Sequence, residues 1–186
     1  MALQIPRAVL DEVRAHGREA YPHECCGLLV GELAVPVRVR RSVRGRNLNA
    51  SRPWDRYELD PADFLRANRE ADAQGQTVVG CYHTHPDHPA LPSATDAALA
   101  CPDFSYLILA VRNGEPAEAR SWLFAEPAAA RYVELRGSGD PAASAVVGYW
   151  HTEYVLFAPV CRGGEERAAV RETSSRVVTE ESVEIV

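Results

Sequence analysis

Lysine is missing altogether: all 20 basic side chains among the 186 residues are arginine. Alanine and proline are abundant alongside, so the absence reads as a base-composition bias. No apolar run approaches the roughly 20 residues needed to cross a bilayer, which excludes a membrane-spanning helix. The opening residues Met1 to Arg7 lack a basic region followed by an apolar core. A secretory signal is therefore not expected, and the chain is expected in the cytoplasm. The five cysteines, two of them adjacent, are odd in number. They do not form a disulfide framework, and without Cys-x-x-Cys they do not suggest a structural metal site. Cys25, Cys26, Cys81 and Cys101 sit in or beside core segments and read as reduced, buried small hydrophobes. A net charge of −6 argues against the basic face of a nucleic-acid-binding protein. No internal repeat is visible.

What is present is ordinary for a soluble globular chain, with 46% hydrophobic and 25% charged residues. The length fits one domain with a small appendage. Pro6 to Ala20 carries Val9, Leu10, Val13 and Ala20 at helical spacing behind a starting proline, which predicts a helix packed on a sheet. Gly27 to Leu33 and Pro36 to Val43 read as successive strands, and Arg44 to Asp55 as a loop. Tyr57-Glu58-Leu59 reads as a short strand running into Asp60-Pro61, an N-cap with proline at the first helical position. A helix to about Ala73 follows. Tyr106 to Val111 reads as a strand, and the Asn113-Gly114 turn predicts an antiparallel return over Ala119 to Phe124. Tyr132 to Leu135 is a further candidate strand. Alternating helices and strands predict an α/β or α+β fold, a mixed central sheet flanked by helices.

Between these elements lie two imidazoles and a carboxylate within 14 residues, His83, His85 and Asp96. Thr77 to His83 is β-branched and apolar and reads as a buried strand, where side chains i and i+2 leave on one face. His83 and His85 can therefore point together. A loop stiffened by Pro86, Pro89 and Pro92 ends at Ser93, and Ser93-x-x-Asp96 ahead of an apolar run has the form of a capping box opening a helix. That returns Asp96 toward the histidines. Two nitrogens and one oxygen suit zinc, and three protein ligands leave a fourth tetrahedral position for water, as in catalytic sites. Taken alone, His83 and His85 would read as hydrogen-bonded strand histidines and Asp96 as a carboxylate favoured at a helix start. His16, His23, His88 and His151 are set aside as ligands. The absence of Pro-Cys-x-x-Cys argues against a zinc nucleobase deaminase.

Glu24 stands before Cys25-Cys26-Gly27-Leu28-Leu29, followed by His83-x-His85-Pro86 and Pro92-Ser93-x-x-Asp96. Together these resemble the JAMM (MPN+) zinc metalloproteases over about residues 1–136. The resemblance implies Zn2+ held by His83, His85 and Asp96, Glu24 as general base, and Ser93 steadying the tetrahedral oxyanion. Spacing alone would not bring Glu24 near the metal; by itself it would be a solvent-exposed carboxylate before a strand. Asn47 or Asn49, Pro53 and Tyr57 to Pro61 resemble the short prokaryotic branch. That branch implies a substrate that is a ubiquitin-like or sulfur-carrier protein with a C-terminal Gly-Gly. The tail of that substrate would lie extended along Tyr57 to Leu59. The alternatives are a non-catalytic MPN-type scaffold for such a partner and a deubiquitinase-like isopeptidase. For a protease of isopeptide bonds, a lysine-free surface would also prevent conjugation to itself.

The domain organisation expected is a JAMM domain over 1–136, a Gly/Ser/Pro/Ala linker over 137–145, and an extension over 146–186. Val146 to Val160 is apolar enough for a strand or hairpin. Cys161 to Val186 is polar and expected to be partly disordered. Gly163-Gly164 looks like the end of a ubiquitin-like protein, but the preceding segment is too short for that fold and an ordinary turn is the simpler reading.

Overall fold

A computed structural model describes residues 2–102, 104–125, 147–151, 154–157 and 177–186. In chain order the elements are β1 (Ala2–Ile5), α1 (Arg7–Ala20), β2 (Cys26–Glu32), β3 (Val37–Gly45), α2 (Pro61–Asp72), β4 (Thr77–Pro86), α3 (Ala94–Leu99), β5 (Ser105–Arg112), β6 (Glu115–Ala125), β7 (Val147–His151), β8 (Tyr154–Phe157) and β9 (Val177–Ile185). They fall into two compact units. The first holds Met1–Leu91, Phe104–Ser121 and Glu181–Val186, and the second Pro92–Asp103 and Trp122–Glu180.

In the first unit the strands run β1-β3-β2-β4-β5-β6-β9, and β9 pairs back onto β1, so the sheet closes on itself. The sheet is mixed: β2 is antiparallel to β3 and β4, whereas β4–β5, β1–β3 and β1–β9 are parallel. A mixed central sheet flanked by helices was the expectation; the sheet is mixed, but it closes on itself, and the three helices of the described residues do not flank it fully. The closure comes from two strands that sequence reading passed over. β1 is only four residues long, and its Leu3 and Ile5 are fully buried in alternation. β9 lies in the tail expected to be partly disordered. It pairs Ala2 to Ile5 with Ser182 to Ile185, and its acidic side chains had disguised the strand pattern.

α1 starts behind Pro6 and buries Val9, Leu10, Val13 and Gly17, one stripe of a 3.6-residue helix. It packs on β3, β4 and β5. There it joins Cys25 and Leu29 of the β2 region, Tyr82 of β4 and Leu107, Leu109 and Val111 of β5 in one apolar cluster. α2 packs against β2, β3 and β4. Its N-cap is Asp60, whose side chain accepts from the Ala62 amide at 2.7 Å, with proline next. Only one bridge, Asn47 with Leu59, forms where a strand Tyr57 to Leu59 was expected. The Asn113-Gly114 turn has positive φ at both residues, 50° and 80°, the form that matches strand twist in a two-residue hairpin.

The second unit contains α3 and the antiparallel β7–β8 pair, with β7 also antiparallel to Val177–Thr179 of β9. The hairpin expected after Val146 is thus present. The candidate strand Tyr132 to Leu135, the 137–145 linker and Gly163-Gly164 lie outside the described residues. No described helix is long and apolar enough to cross a membrane.

Candidate metal centre

The two histidines sit at the carboxyl end of β4, which runs through Pro86 rather than stopping at His83. Thr84, between them, turns to the α1 side, where its methyl would lie 3.1 Å from a Cβ added at Gly17. Strand alternation therefore sends His83 and His85 to the other face. Their Nε2 atoms approach to 3.0 Å. Two nitrogens each about 2.0–2.1 Å from a tetrahedral zinc would be about 3.3–3.4 Å apart, so this convergence is close to what one ion imposes. His85 Nδ1 lies 2.9 Å from the Pro89 carbonyl oxygen. A carbonyl only accepts, so Nδ1 carries the proton and the neutral ring presents the Nε2 lone pair inward. His83 is fully buried, with Tyr57 stacked on it at 4.5 Å between ring centroids and 25° between planes.

Asp96 belongs to the opening turn of α3. Ser93 caps that helix, its Oγ accepting from the Asp96 amide at 3.2 Å while Asp96 Oδ2 accepts from the Ser93 amide at 2.6 Å. The expected capping box is present with both bonds. It engages one carboxylate oxygen of two, so capping does not exhaust Asp96 as a ligand. One donor atom from each of His83, His85 and Asp96 lies within 4.8 Å of the others, and all three side chains are buried. Two neutral imidazole nitrogens and a carboxylate oxygen form a donor set that fits zinc.

Glu24 stands two residues ahead of β2, just before the point where that strand meets β4. β2 runs antiparallel to β4 with Cys26 opposite His83. One step back, the Thr84 amide donates to the Cys25 carbonyl at 3.0 Å and the Cys25 amide to Thr84 Oγ at 2.9 Å. Carried two residues beyond the ladder, that register would set Glu24 opposite His85. Glu24 is buried rather than solvent-exposed, and its amide donates to the Pro53 carbonyl at 2.6 Å. Gly27 is required by close approach: a Cβ there would come within 2.4 Å of the Tyr82 ring.

The cysteines beside Glu24 are poor nucleophiles. Burial pushes Cys25 up to about 11 and Cys26 up to about 12, so neither is a thiolate near neutrality. All four described cysteines are free thiols, and Cys101, expected near the core, is exposed. His88, set aside as a ligand, is exposed. Sequence reading missed Tyr57 as a ring against His83 and the Pro89 carbonyl as the tautomer-setting group. The proline spacing after His85 was the one available signal for the second.

A closed mixed sheet with three helices among the described residues is consistent with a JAB fold. The chain belongs to the family of prokaryotic homologs of the JAB domain, whose description matches residues 6–125, more than half its length. It is 35% identical over 96 residues to a probable TtuB-protein conjugate cleaving protease of Thermus thermophilus, covering 52% of this chain and 62% of that protein. The chain thus matches somewhat under two thirds of that relative. A desampylase of Haloferax volcanii is 34% identical over 53% of this chain and 73% of its own. A CysO-cysteine peptidase of Mycobacterium bovis is 33% identical over 64% of this chain and 81% of its own. Among solved structures, a protein of Desulfitobacterium hafniense superposes with a TM-score of 0.58 at 35% identity, covering 65% of this chain and 83% of that one.

Proposed function

We propose that this chain is a cytoplasmic, zinc-dependent peptidase. Its reaction is hydrolysis of the amide or isopeptide bond after the C-terminal Gly-Gly of a ubiquitin-like or sulfur-carrier protein. The observation that carries the reading is the meeting of the His83 and His85 Nε2 atoms at 3.0 Å, with the His85 tautomer set by Pro89. The activities named for the relatives, a conjugate-cleaving protease, a desampylase and a CysO-cysteine peptidase, support the substrate class.

In this reading His83, His85 and Asp96 hold the ion. When bound, zinc supplies Lewis acidity, lowering the pKa of a water toward about 7 and polarising the scissile carbonyl. Glu24 takes one proton from the attacking water as its oxygen bonds to the carbonyl carbon. It delivers that proton to the amine nitrogen as the C–N bond breaks. Ser93 Oγ accepts the Asp96 amide in the cap and still has its own O–H, which donates to the developing oxyanion.

The test pairs metal content with turnover of a sulfur-carrier protein fused through its Gly-Gly to a peptide. Wild type is expected to hold one zinc per chain and cleave the fusion. Glu24→Gln is expected to keep the zinc and lose on the order of 10²- to 10⁴-fold in kcat, the contribution of a positioned general base. Equal activity in Glu24→Gln removes the base. Zinc-free protein that still binds the carrier identifies a scaffold, and cleavage of ubiquitin isopeptide linkages in place of carrier fusions identifies a deubiquitinase-like enzyme.

A further inference from the structure

Beyond the metal centre, one side chain in the loop after β3 has every hydrogen-bonding position filled. Asn47 Nδ2 donates to the Glu24 carbonyl and to the Arg56 carbonyl, each at 3.1 Å. Its Oδ1 accepts from the Asn49 amide at 2.9 Å and the Glu58 amide at 3.0 Å. The amide orientation is unambiguous, because a flip would set NH2 against two N–H groups and oxygen against two carbonyls. Three of the four bonds reach chemistry-bearing segments. One holds the backbone of Glu24. Two hold Arg56 and Glu58, the residues on either side of Tyr57, whose ring stacks on His83. The loop is tied to Glu24 a second time by the bond from the Glu24 amide to Pro53.

We propose that Asn47 is a positioning residue that sets Glu24 and Tyr57 together, so that the base and the ring against His83 keep a fixed relation. The proposal rests on the reading of Glu24 as general base. Glu24 is outside the regular ladder, where β2 begins only at Cys26, and Tyr57 lies in a segment held by a single bridge. Neither is placed by secondary structure alone. A carboxamide with two donors and one doubly accepting oxygen is the group that can bind two carbonyls and two amides at once. A misplacement of about 1 Å at a catalytic group costs on the order of 10²-fold.

Asn47→Asp is nearly isosteric and keeps both accepted bonds, but it loses both donated ones and faces two carbonyls with an acceptor. Its kcat on the carrier fusion is expected to fall about tenfold or more, with KM and zinc content unchanged. The decisive measurement is a double-mutant cycle with Glu24→Gln. If Asn47 acts through Glu24, the double variant turns over no more slowly than Glu24→Gln alone. Losses that multiply in full, or an undiminished kcat in Asn47→Asp, overturn the proposal. A Glu24→Gln variant with wild-type activity instead overturns the reading of the base and leaves that outcome distinct. Hydrogen exchange provides an arm that needs no substrate: Asn47→Asp releases the Glu24 carbonyl and is expected to speed exchange at the Glu24 amide, while the Asn49 and Glu58 amides, whose acceptor is retained, serve as the internal reference; an unchanged rate at Glu24 overturns the positioning role. Should Asn47→Asp not fold, Asn47→Ser, with one donor and one acceptor, carries both measurements.

Discussion

His85 donates its Nδ1 proton to the carbonyl of Pro89, four residues further on. The loop can double back because Asp87 adopts a left-handed conformation, φ 56°, and is held there from three sides. Its amide donates to the Val111 carbonyl at 2.7 Å. Its carboxylate accepts from the Asn113 amide and from the Tyr21 hydroxyl, each at 2.8 Å. Asp87→Ala is expected to weaken zinc binding about 10-fold, the scale of losing support behind a ligating histidine. Asp87→Asn tolerates the left-handed backbone and keeps an acceptor for Asn113, so it should bind near wild type. Competition with a chromophoric chelator reads both, and equal affinity in Asp87→Ala would show that the prolines alone shape the loop.

The single bridge between Asn47 and Leu59 has a directional consequence. The Leu48 amide donates to the Glu58 carbonyl at 2.8 Å and the Asp60 amide to the Arg46 carbonyl at 3.0 Å, flanking the pair. Leu59 is thereby a non-hydrogen-bonded partner whose own N–H and C=O point outward, where an extended carrier tail would add as a strand. Leu59→Pro removes that donor and is expected to raise KM about 3- to 10-fold, the worth of one backbone hydrogen bond, with kcat little altered. Leu59→Ala keeps the N–H and serves as the control. An unchanged KM in Leu59→Pro puts the tail elsewhere.

What the sequence made legible was local. The shared face of His83 and His85 follows from strand alternation, the Ser93–Asp96 box from helix-capping chemistry, and the Asp60-Pro61 start from the fixed φ of proline. Each needs only a few neighbouring residues. Glu24 needed the pairing of Cys26 with His83, a relation across more than fifty residues that no periodicity encodes, and only the family resemblance supplied it. β9 escaped because Glu181, a charged residue in a polar tail, is a buried strand residue whose Oε2 accepts from hydroxyls on two other strands. Tyr57 and Asn47 were visible as letters of a family pattern, but their contacts depend on how the 46–60 loop folds back on β2.

His16, on α1, gives a pH signature. Its Nδ1 lies 2.9 Å from the Tyr82 hydroxyl, and burial, aided by nearby Arg44 and opposed by Glu19, lowers its pKa from 6.5 to about 4. Between those two values the unfolded chain binds a proton that the native state refuses, so stability falls as pH drops from about 6.5 toward 4. His16→Gln removes this term. The melting temperature of wild type is expected to fall between pH 8 and pH 5 by about 2–4 °C more than that of His16→Gln, a figure discounted for partial exposure. Parallel losses in the two proteins would assign the acid sensitivity to other groups.

Glu181 makes the opposite prediction from inside the sheet closure. On β9, its Oε2 accepts from Ser105 Oγ on β5 and Ser121 Oγ on β6, both at 2.9 Å, while Oε1 is buried with no hydrogen-bond partner among the described residues. Burial raises its pKa above the ordinary 4.5, so in the window above 4.5 the native state retains a proton that the unfolded chain releases. Stability from this group is therefore lost as pH rises through the native value. Glu181→Gln is neutral throughout and nearly isosteric, and should melt higher than wild type at pH 8, with the gap shrinking by pH 5. Glu181→Ala leaves two buried hydroxyls without their acceptor and is expected to cost about 1–3 kcal/mol at either pH, read by denaturant unfolding. If Glu181→Gln instead melts lower at pH 8, the ionised carboxylate is the form the two serines hold, and closure of the sheet by β9 depends on a buried charge rather than a buried proton.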